Sequence, residues 1–293
     1  LGEMFALYLE RYSKHHKKTW QSDERDVSRF LGHLFQRKLS AITKQDIQAI
    51  HEKIGKENGL YQANRLLARV HIIYNKAIEW GWEGINPAHG IKKFKEKSRD
   101  RFLHPDELPR FFESLEAEQN DTIRDYIYIS LFTGVRRSNV LAMRWNEIHF
   151  ERREWLVPET KNGESLRVHL VESVIDILKI RLEKYGKKEW VFEGPGKTGH
   201  LMEPKAGWKR ILDKAGIKDL RLHDLRRTLG SWQAATGANT YMIGHSLGHK
   251  SPQSTAVYAR LNLDPVRDSV EKATQAMLQT IKKGNIQDNV ESI

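Results

Sequence analysis

Two residues nine positions apart, His249 and Tyr258, constrain the last third of this chain most sharply. At about 100° per residue, such a spacing puts two side chains on opposite sides of one continuous helix. The residues between them break that helix. Gly248 is placed to end a helix over about 239–247, and Ser251-Pro252 reads as the N-cap and first position of the next one. His249 then falls in the turn and Tyr258 about two turns along the following helix, so a fold-back can bring both to one place. Upstream, His223 and Arg226 stand three apart and share a helix face. This inventory suits the handling of a phosphate.

Composition agrees with a polyanionic partner. The chain of 293 residues carries a formal charge of +11, and charge of that sign favours nucleic acid. The absence of cysteine excludes disulfides, cysteine-ligated zinc and thiol catalysis, and suits a reducing cytoplasm. No apolar run approaches the ~18 residues that span a bilayer, and no signal peptide is visible, so no membrane partner is expected. The length fits one large or two ordinary domains.

Residues 1–90 read as a helical unit. Phe5, Leu7, Leu9 and Tyr12 mark a first helix, and Val27, Phe30, Leu31, Leu34 and Phe35 a second. Thr43 caps a third that carries Ile47 and Ile50, and a long fourth runs over about 60–82. Four helices of this kind pack as one bundle. Residues 91–101, IKKFKEKSRDR, form a basic interdomain linker. It is either a solvated tether or a strap across phosphates. A second domain, 102–281, is mostly helical with a small antiparallel sheet. A helix starts at His104-Pro105-Asp106-Glu107, another covers 121–132, and strands fall at 147–150, 154–157 and 166–170. Further helices cover 173–185, 204–215 and 222–235, one more follows Tyr258, and residues 282–293 form a frayed tail.

In chain order, TGVR at 133–136, Lys161 in a hairpin turn, HDLR at 223–226, LGH at 247–249 and Tyr258 resemble the tyrosine recombinases, the phage-integrase type of site-specific DNA recombinase. The resemblance extends over nearly the whole chain, the first domain being similar to the family's helical, SAM-like core-binding domain. It implies a mostly α fold with a small antiparallel β-sheet (α+β), arranged as a two-domain, C-shaped DNA clamp.

The resemblance also implies roles. Tyr258 is the nucleophile that forms a 3′-phosphotyrosine and releases a 5′-hydroxyl. Arg136 and Arg226 hold the non-bridging oxygens, Lys161 protonates the leaving oxygen, His223 accepts or positions the tyrosine proton, and His249 hydrogen-bonds a phosphate oxygen. Two guanidiniums aimed at the developing charge do what a pair of metal ions does elsewhere, so neither metal nor ATP is expected. Lys17, Lys18, Arg65, Lys92, Lys93, Lys95 and Lys97 are candidate DNA contacts. Asn139 stands where the family commonly has a carboxylate, which leaves only a neutral brace beside the first arginine.

The expected partners are double-stranded attachment sites, a homo-tetramer on DNA held through the C-terminal helix, and accessory DNA-bending or excision factors. The stripe Val266, Val270, Ala273 and Met277 on that helix either packs on its own domain or docks on a neighbouring protomer. The helical pattern is already under way at Leu1, and an arm-binding segment is expected ahead of it. Integration and excision of a prophage or genomic island is the expected role, in the cytoplasm of a bacterium or phage-infected cell. The alternatives are a Xer-like resolvase of DNA dimers and a non-cleaving DNA-binding protein on the same fold. A topoisomerase fits less well, given the compact first domain.

Overall fold

The structure, a computed structural model, describes residues 1–159, 163–261, 270–275 and 277. Leu1–Ser98 and Arg99–Ile293 form two compact units.

In the first unit, α1 (Gly2–Tyr8) runs through a π turn at Leu9–Ser13 into the short α2 (Lys14–His16). Helices α3 (Trp20–Leu31), α4 (Lys44–Glu57) and α5 (Leu60–Glu79) follow. The α4 start is a capping box: Thr43 Oγ1 accepts from Asp46 N at 3.2 Å, and Asp46 accepts from Thr43 N at 2.8 Å. Leu7, expected on the apolar stripe, is 38% exposed, and Tyr8 takes the buried place instead. Phe5, Tyr8, Leu9 and Tyr12 then follow the i, i+3, i+4, i+7 pattern of one helix face.

A buried polar cluster ties this unit together. Asp23 accepts hydrogen bonds from Tyr8 (3.0 Å), Ser13 (3.1 Å), Lys17 (2.7 Å) and Arg69 (2.7 Å). Burial pushes the Asp23 carboxyl up, but the bonds from Lys17 and Arg69 hold it below its ordinary pKa. The basic stretch after α5 is not a solvated tether in its first half. Asn64, buried on α5, donates to Phe94 O and accepts from Phe94 N, both at 2.9 Å, and the Phe94 ring stacks on His51 at 4.3 Å.

The second unit contains α6 (Leu108–Glu116), α7 (Asp121–Thr133) and the short α8 (Arg137–Leu141) before the sheet. Strands β1 (Ile148–His149), β2 (Glu154–Val157) and β3 (Leu166–His169) pair antiparallel in the order β1-β2-β3. Trp155 lies opposite both Ile148 and Val168 and is fully buried. Then come α9 (Glu172–Tyr185), α10 (Lys205–Ala215), α11 (Asp224–Ala235), α12 (Thr240–Leu247) and α13 (Pro252–Leu261). The core gathers around α7, with Tyr126, Ile127, Phe111, Phe192 and Leu225 all at 0% exposure.

Two local expectations are corrected. Residues 104–107 form a turn closed by Glu107 N→His104 O at 3.0 Å, and the helix begins only at Leu108, with Pro109 in its first positions. The first strand is two residues long, because Trp145–Glu147 is a 3₁₀ turn in which the Glu147 carboxylate accepts from Trp155 Nε1 at 3.0 Å. Among the described residues no helix is long and apolar enough to cross a membrane.

Candidate active site

Three helix ends meet where the site forms. Gly134 ends α7 at φ +60, and a Cβ there would come within 2.6 Å of Leu247 and 2.9 Å of Leu229, so α7, α11 and α12 touch at a point that only glycine permits. Gly248 ends α12 at φ +63, and a Cβ on it would meet Leu166 of β3 at 2.9 Å. The hairpin is thereby seated beside the turn that carries His249, and Lys250 adds an ion pair to Glu164 at 2.8 Å. Lys161, in the β2–β3 connection, lies outside the described residues.

Arg226 is the centre of the arrangement. It is 5% exposed and points its guanidinium back into the junction, donating to Gly134 O at 2.7 Å and to Leu247 O at 2.5 Å. Those two bonds fix the plane of the fork and leave other N–H groups for a ligand. The Arg226 charge acts on the Tyr258 hydroxyl. Tyr258 is 5% exposed; its ring packs on Gly230 of α11, where a Cβ would come within 2.7 Å. The His249 ring is parallel to the Tyr258 ring, at 4° and 6.0 Å between centroids. His249 Nδ1 is 2.9 Å from Thr255 Oγ1. With the Thr255 hydroxyl donating, the imidazole carries its proton on Nε2 and can give it to an acceptor.

Arg136 caps α8 and is partly buried, and its guanidinium makes no hydrogen bond or ion pair among the described residues. Its charge is nonetheless felt by Arg226 and His249. Asn139 does not brace it: the Asn139 side chain accepts only from Ser138 Oγ, at 3.4 Å, among the described residues. His223 stands at the N-cap of α11, which begins at Asp224, two residues later than the helix over 222–235 expected from the sequence.

The electrostatics follow from packing cations under cover. Burial, aided by Arg136, lowers Arg226 to about 10. Burial and then Arg226 and Arg136 push His249 down to about 4. His223 keeps a solvent-facing edge, yet desolvation and then Arg226, Arg227 and Arg137 lower its pKa against the opposing pull of Asp224. Burial raises the Tyr258 hydroxyl, while Arg226 and Arg227 oppose the rise. At neutral pH the cluster therefore holds fixed cations, neutral imidazoles and a protonated phenol.

His249 makes a stability prediction. Its ordinary value of 6.5 is lowered to about 4 on folding, so between those limits the unfolded chain holds a proton that the folded one lacks. Stability then falls as pH drops from about 6.5 to about 4. Denaturant unfolding at pH 7 and pH 5 is expected to show His249→Gln losing less stability than wild type, by on the order of 1 kcal/mol after allowance for partial exposure. Equal losses would place the acid sensitivity elsewhere.

Sequence reasoning missed Asp224 and Arg99 as neighbours of this cluster, and it missed Arg227, whose charge reaches Tyr258 and His223. Asp224 had a visible signal, an acid in the first turn of the helix. Of the basic residues expected to face DNA, Lys17 is tied to Asp23 and Tyr8 inside the first unit. Lys18, Arg65, Lys92, Lys93, Lys95 and Lys97 are exposed.

Known proteins share this arrangement of elements. The phage integrase family matches residues 101–264, more than half of the chain. The integrase of Salmonella phage P22 is 27% identical over 289 residues, covering 85% of this chain and 73% of that protein. A tyrosine recombinase of Thermosipho africanus is 24% identical over 279 residues, covering 92% and 98%. Among solved structures, a lambda integrase (75–356) dimer bound to a COC′ core site superposes with a TM-score of 0.73 at 19% identity, over 86% of this chain and 96% of that one.

Proposed function

The chain belongs to the phage integrase family, the tyrosine recombinases that cleave and rejoin DNA, and we propose that it does so through Tyr258. The observation that carries this reading is a buried phenol, seated on Gly230 and acted on by the buried Arg226 charge, with neutral His249 stacked beside it.

In the proposed reaction the Tyr258 oxygen attacks a scissile phosphate in line, the P–O5′ bond breaks, and a 3′-phosphotyrosine remains. The phenol proton passes toward His223, whose lowered pKa keeps it a free acceptor. Arg136, whose guanidinium has no partner among the described residues, and Arg226 stabilise the two non-bridging oxygens as charge builds. His249 donates from Nε2 to one of them. Lys161 supplies the proton to the departing 5′-oxygen. The tyrosyl ester conserves the phosphodiester energy, so a 5′-hydroxyl of another strand reseals the DNA without ATP.

On this reading the first unit and the basic stretch at 91–101 embrace duplex DNA together with the second unit as a C-shaped clamp. Lys18, Arg65, Lys92, Lys93, Lys95 and Lys97 lie along phosphates; Lys17 is left out because its ammonium is occupied. Residues 270–275 are helical, and Val270 and Met277, seven apart on one face, are each 60% exposed. That uncovered stripe supports docking of the terminal helix on a neighbouring protomer in a tetramer. Likeness to the phage P22 integrase supports integration and excision of a prophage or genomic island, acting on chromosomal DNA in the cytoplasm.

Gly230→Ala tests the seat of the nucleophile. Alanine ordinarily favours a helix interior over glycine by about 1 kcal/mol, but here its methyl would lie within 2.7 Å of the Tyr258 ring. Cleavage is expected to slow by at least about tenfold with DNA affinity unchanged; a rate equal to wild type would mean that the tyrosine seated here is not the attacking one.

The function itself is tested by incubating the protein with sheared DNA of its source genome, in EDTA and without nucleotide. Fragments that stay attached after detergent denaturation are recovered and sequenced. A single enriched site is the expected result. Covalent fragments from every sequence would indicate a topoisomerase, and none at all a non-cleaving DNA-binding protein.

A further inference from the structure

The segment that opens the second unit is laid along the helix carrying His223 and Arg226. Leu103 N donates to Thr228 Oγ1 at 2.9 Å, and that hydroxyl donates to Asp224 O at 2.9 Å. One turn earlier on the helix, Arg99 makes the tighter contact. Its Nε lies 3.2 and 3.1 Å from the two Asp224 carboxylate oxygens, and its Nη2 lies 2.7 Å from one of them. Its Nη1 donates to both Asp219 carboxylate oxygens at 2.9 Å, and Nη2 also donates to Asp219 O at 2.5 Å.

Two features make this more than a surface ion pair. Asp224 is 1% exposed, so the fork ends on a desolvated charge at the first position of α11, next to His223. Asp219 sits at φ +50, a left-handed backbone that a non-glycine residue adopts only under constraint. A single guanidinium thus holds both ends of the turn that delivers His223. Asp224 has other partners, Arg227 at 3.3 Å and the Arg221 N–H at 2.8 Å, so its charge is only partly uncovered when Arg99 is removed. The helix can survive the loss while the turn before it relaxes.

We propose that Arg99 is a positioning residue for strand cleavage, acting through Asp224 and Asp219 to set His223 and Arg226 for the reaction. This inference rests on the cleavage chemistry proposed above. A separation of 125 positions between Arg99 and Asp224 keeps the pair out of any local motif.

The test is single-turnover cleavage of the duplex recovered by covalent capture, nicked so that the short 5′-hydroxyl fragment diffuses away. Wild type, Arg99→Ala and Arg99→Lys are compared at saturating protein, with DNA affinity measured at several salt concentrations and thermal melts alongside. Arg99→Ala is expected to slow cleavage by about 10- to 100-fold, with affinity within about twofold of wild type and an unchanged salt slope. Arg99→Lys is expected to recover part of the rate.

The pH profile separates positioning from mere stability. His223 faces Arg226 and Arg227 on its own helix and Arg137 on α8, with Asp224 the opposing charge. Removing Arg99 strengthens the field of Asp224, so the acid limb of the Arg99→Ala profile moves to higher pH. Cleavage at the wild-type rate would overturn the proposal. So would a loss confined to affinity with a shallower salt slope, which marks a phosphate contact. A rate loss with the acid limb unmoved and a lowered melting temperature would reduce Arg99 to a fold-stabilising residue. Absence of any adduct from wild type would sink the cleavage reading itself, a different failure from these.

Discussion

Tyr258→Phe is expected to abolish the covalent protein–DNA adduct, lowering its rate of formation by at least about three orders of magnitude, while the protein stays folded and bound to DNA. The change removes one oxygen and nothing else. The ring keeps its seat on Gly230 and its place beside Ile243 and Leu247, and it keeps the His249 stack. Only the hydroxyl's electrostatic interaction with Arg226 is lost, and that guanidinium retains its bonds to Gly134 O and Leu247 O. Stability should therefore change by no more than about 1 kcal/mol. Tyr241→Phe is the control: this tyrosine is 78% exposed on α12, and its variant should form the adduct at the wild-type rate. Adduct from Tyr258→Phe at an undiminished rate would remove Tyr258 from the mechanism.

Arg226→Lys is expected to cost about 100- to 1000-fold in cleavage at pH 8, a larger loss than the conservative exchange suggests. Lysine cannot bond both Gly134 O and Leu247 O in a fixed plane and still present donors to a phosphate. Its charge is also at risk. The site lowers the guanidinium from 12.5 to about 10; an ammonium, which starts lower than a guanidinium, would be pushed down toward neutral pH by the same burial. A cation with a lowered pKa loses its proton as pH rises, so the residual activity of Arg226→Lys should increase as pH is taken from 9 to 7. Wild type, charged throughout that range, should show no such rise. A variant whose activity ignores pH would mean that geometry alone, not charge, is lost.

The parts of this site that were legible in the sequence are those decided by local rules. A glycine followed by Ser-Pro had to break a helix between His249 and Tyr258; Gly248 indeed takes φ +63 and α13 begins at Pro252. In the first unit, Thr43 caps α4 as local rules expect, and the structure adds Asp46 to complete the capping box. What stayed hidden depends on partners far along the chain. The run IKKFKEK reads as solvated because its composition is basic, whereas its hold is the amide of Asn64, 30 residues away. Lys17 looks like a phosphate ligand until Asp23 and Tyr8 are folded against it. Arg99 resembles any other linker arginine, and nothing local announces Asp219 and Asp224 at separations of 120 and 125. The neutral state of His249 was equally out of reach, since burial in the folded site, reinforced by Arg226 and Arg136, creates it.

The central claim is that one phenol, Tyr258, takes the DNA strand by its 3′ phosphate. The direct measurement is mass spectrometry of the trapped adduct from the nicked, captured duplex, after nuclease and protease digestion. The account predicts one modified peptide, with Tyr258 joined through its oxygen to the 3′ phosphate of the terminal nucleotide and a free 5′-hydroxyl on the released fragment. A nucleotide on another residue, or a link to a 5′ phosphate, would contradict it.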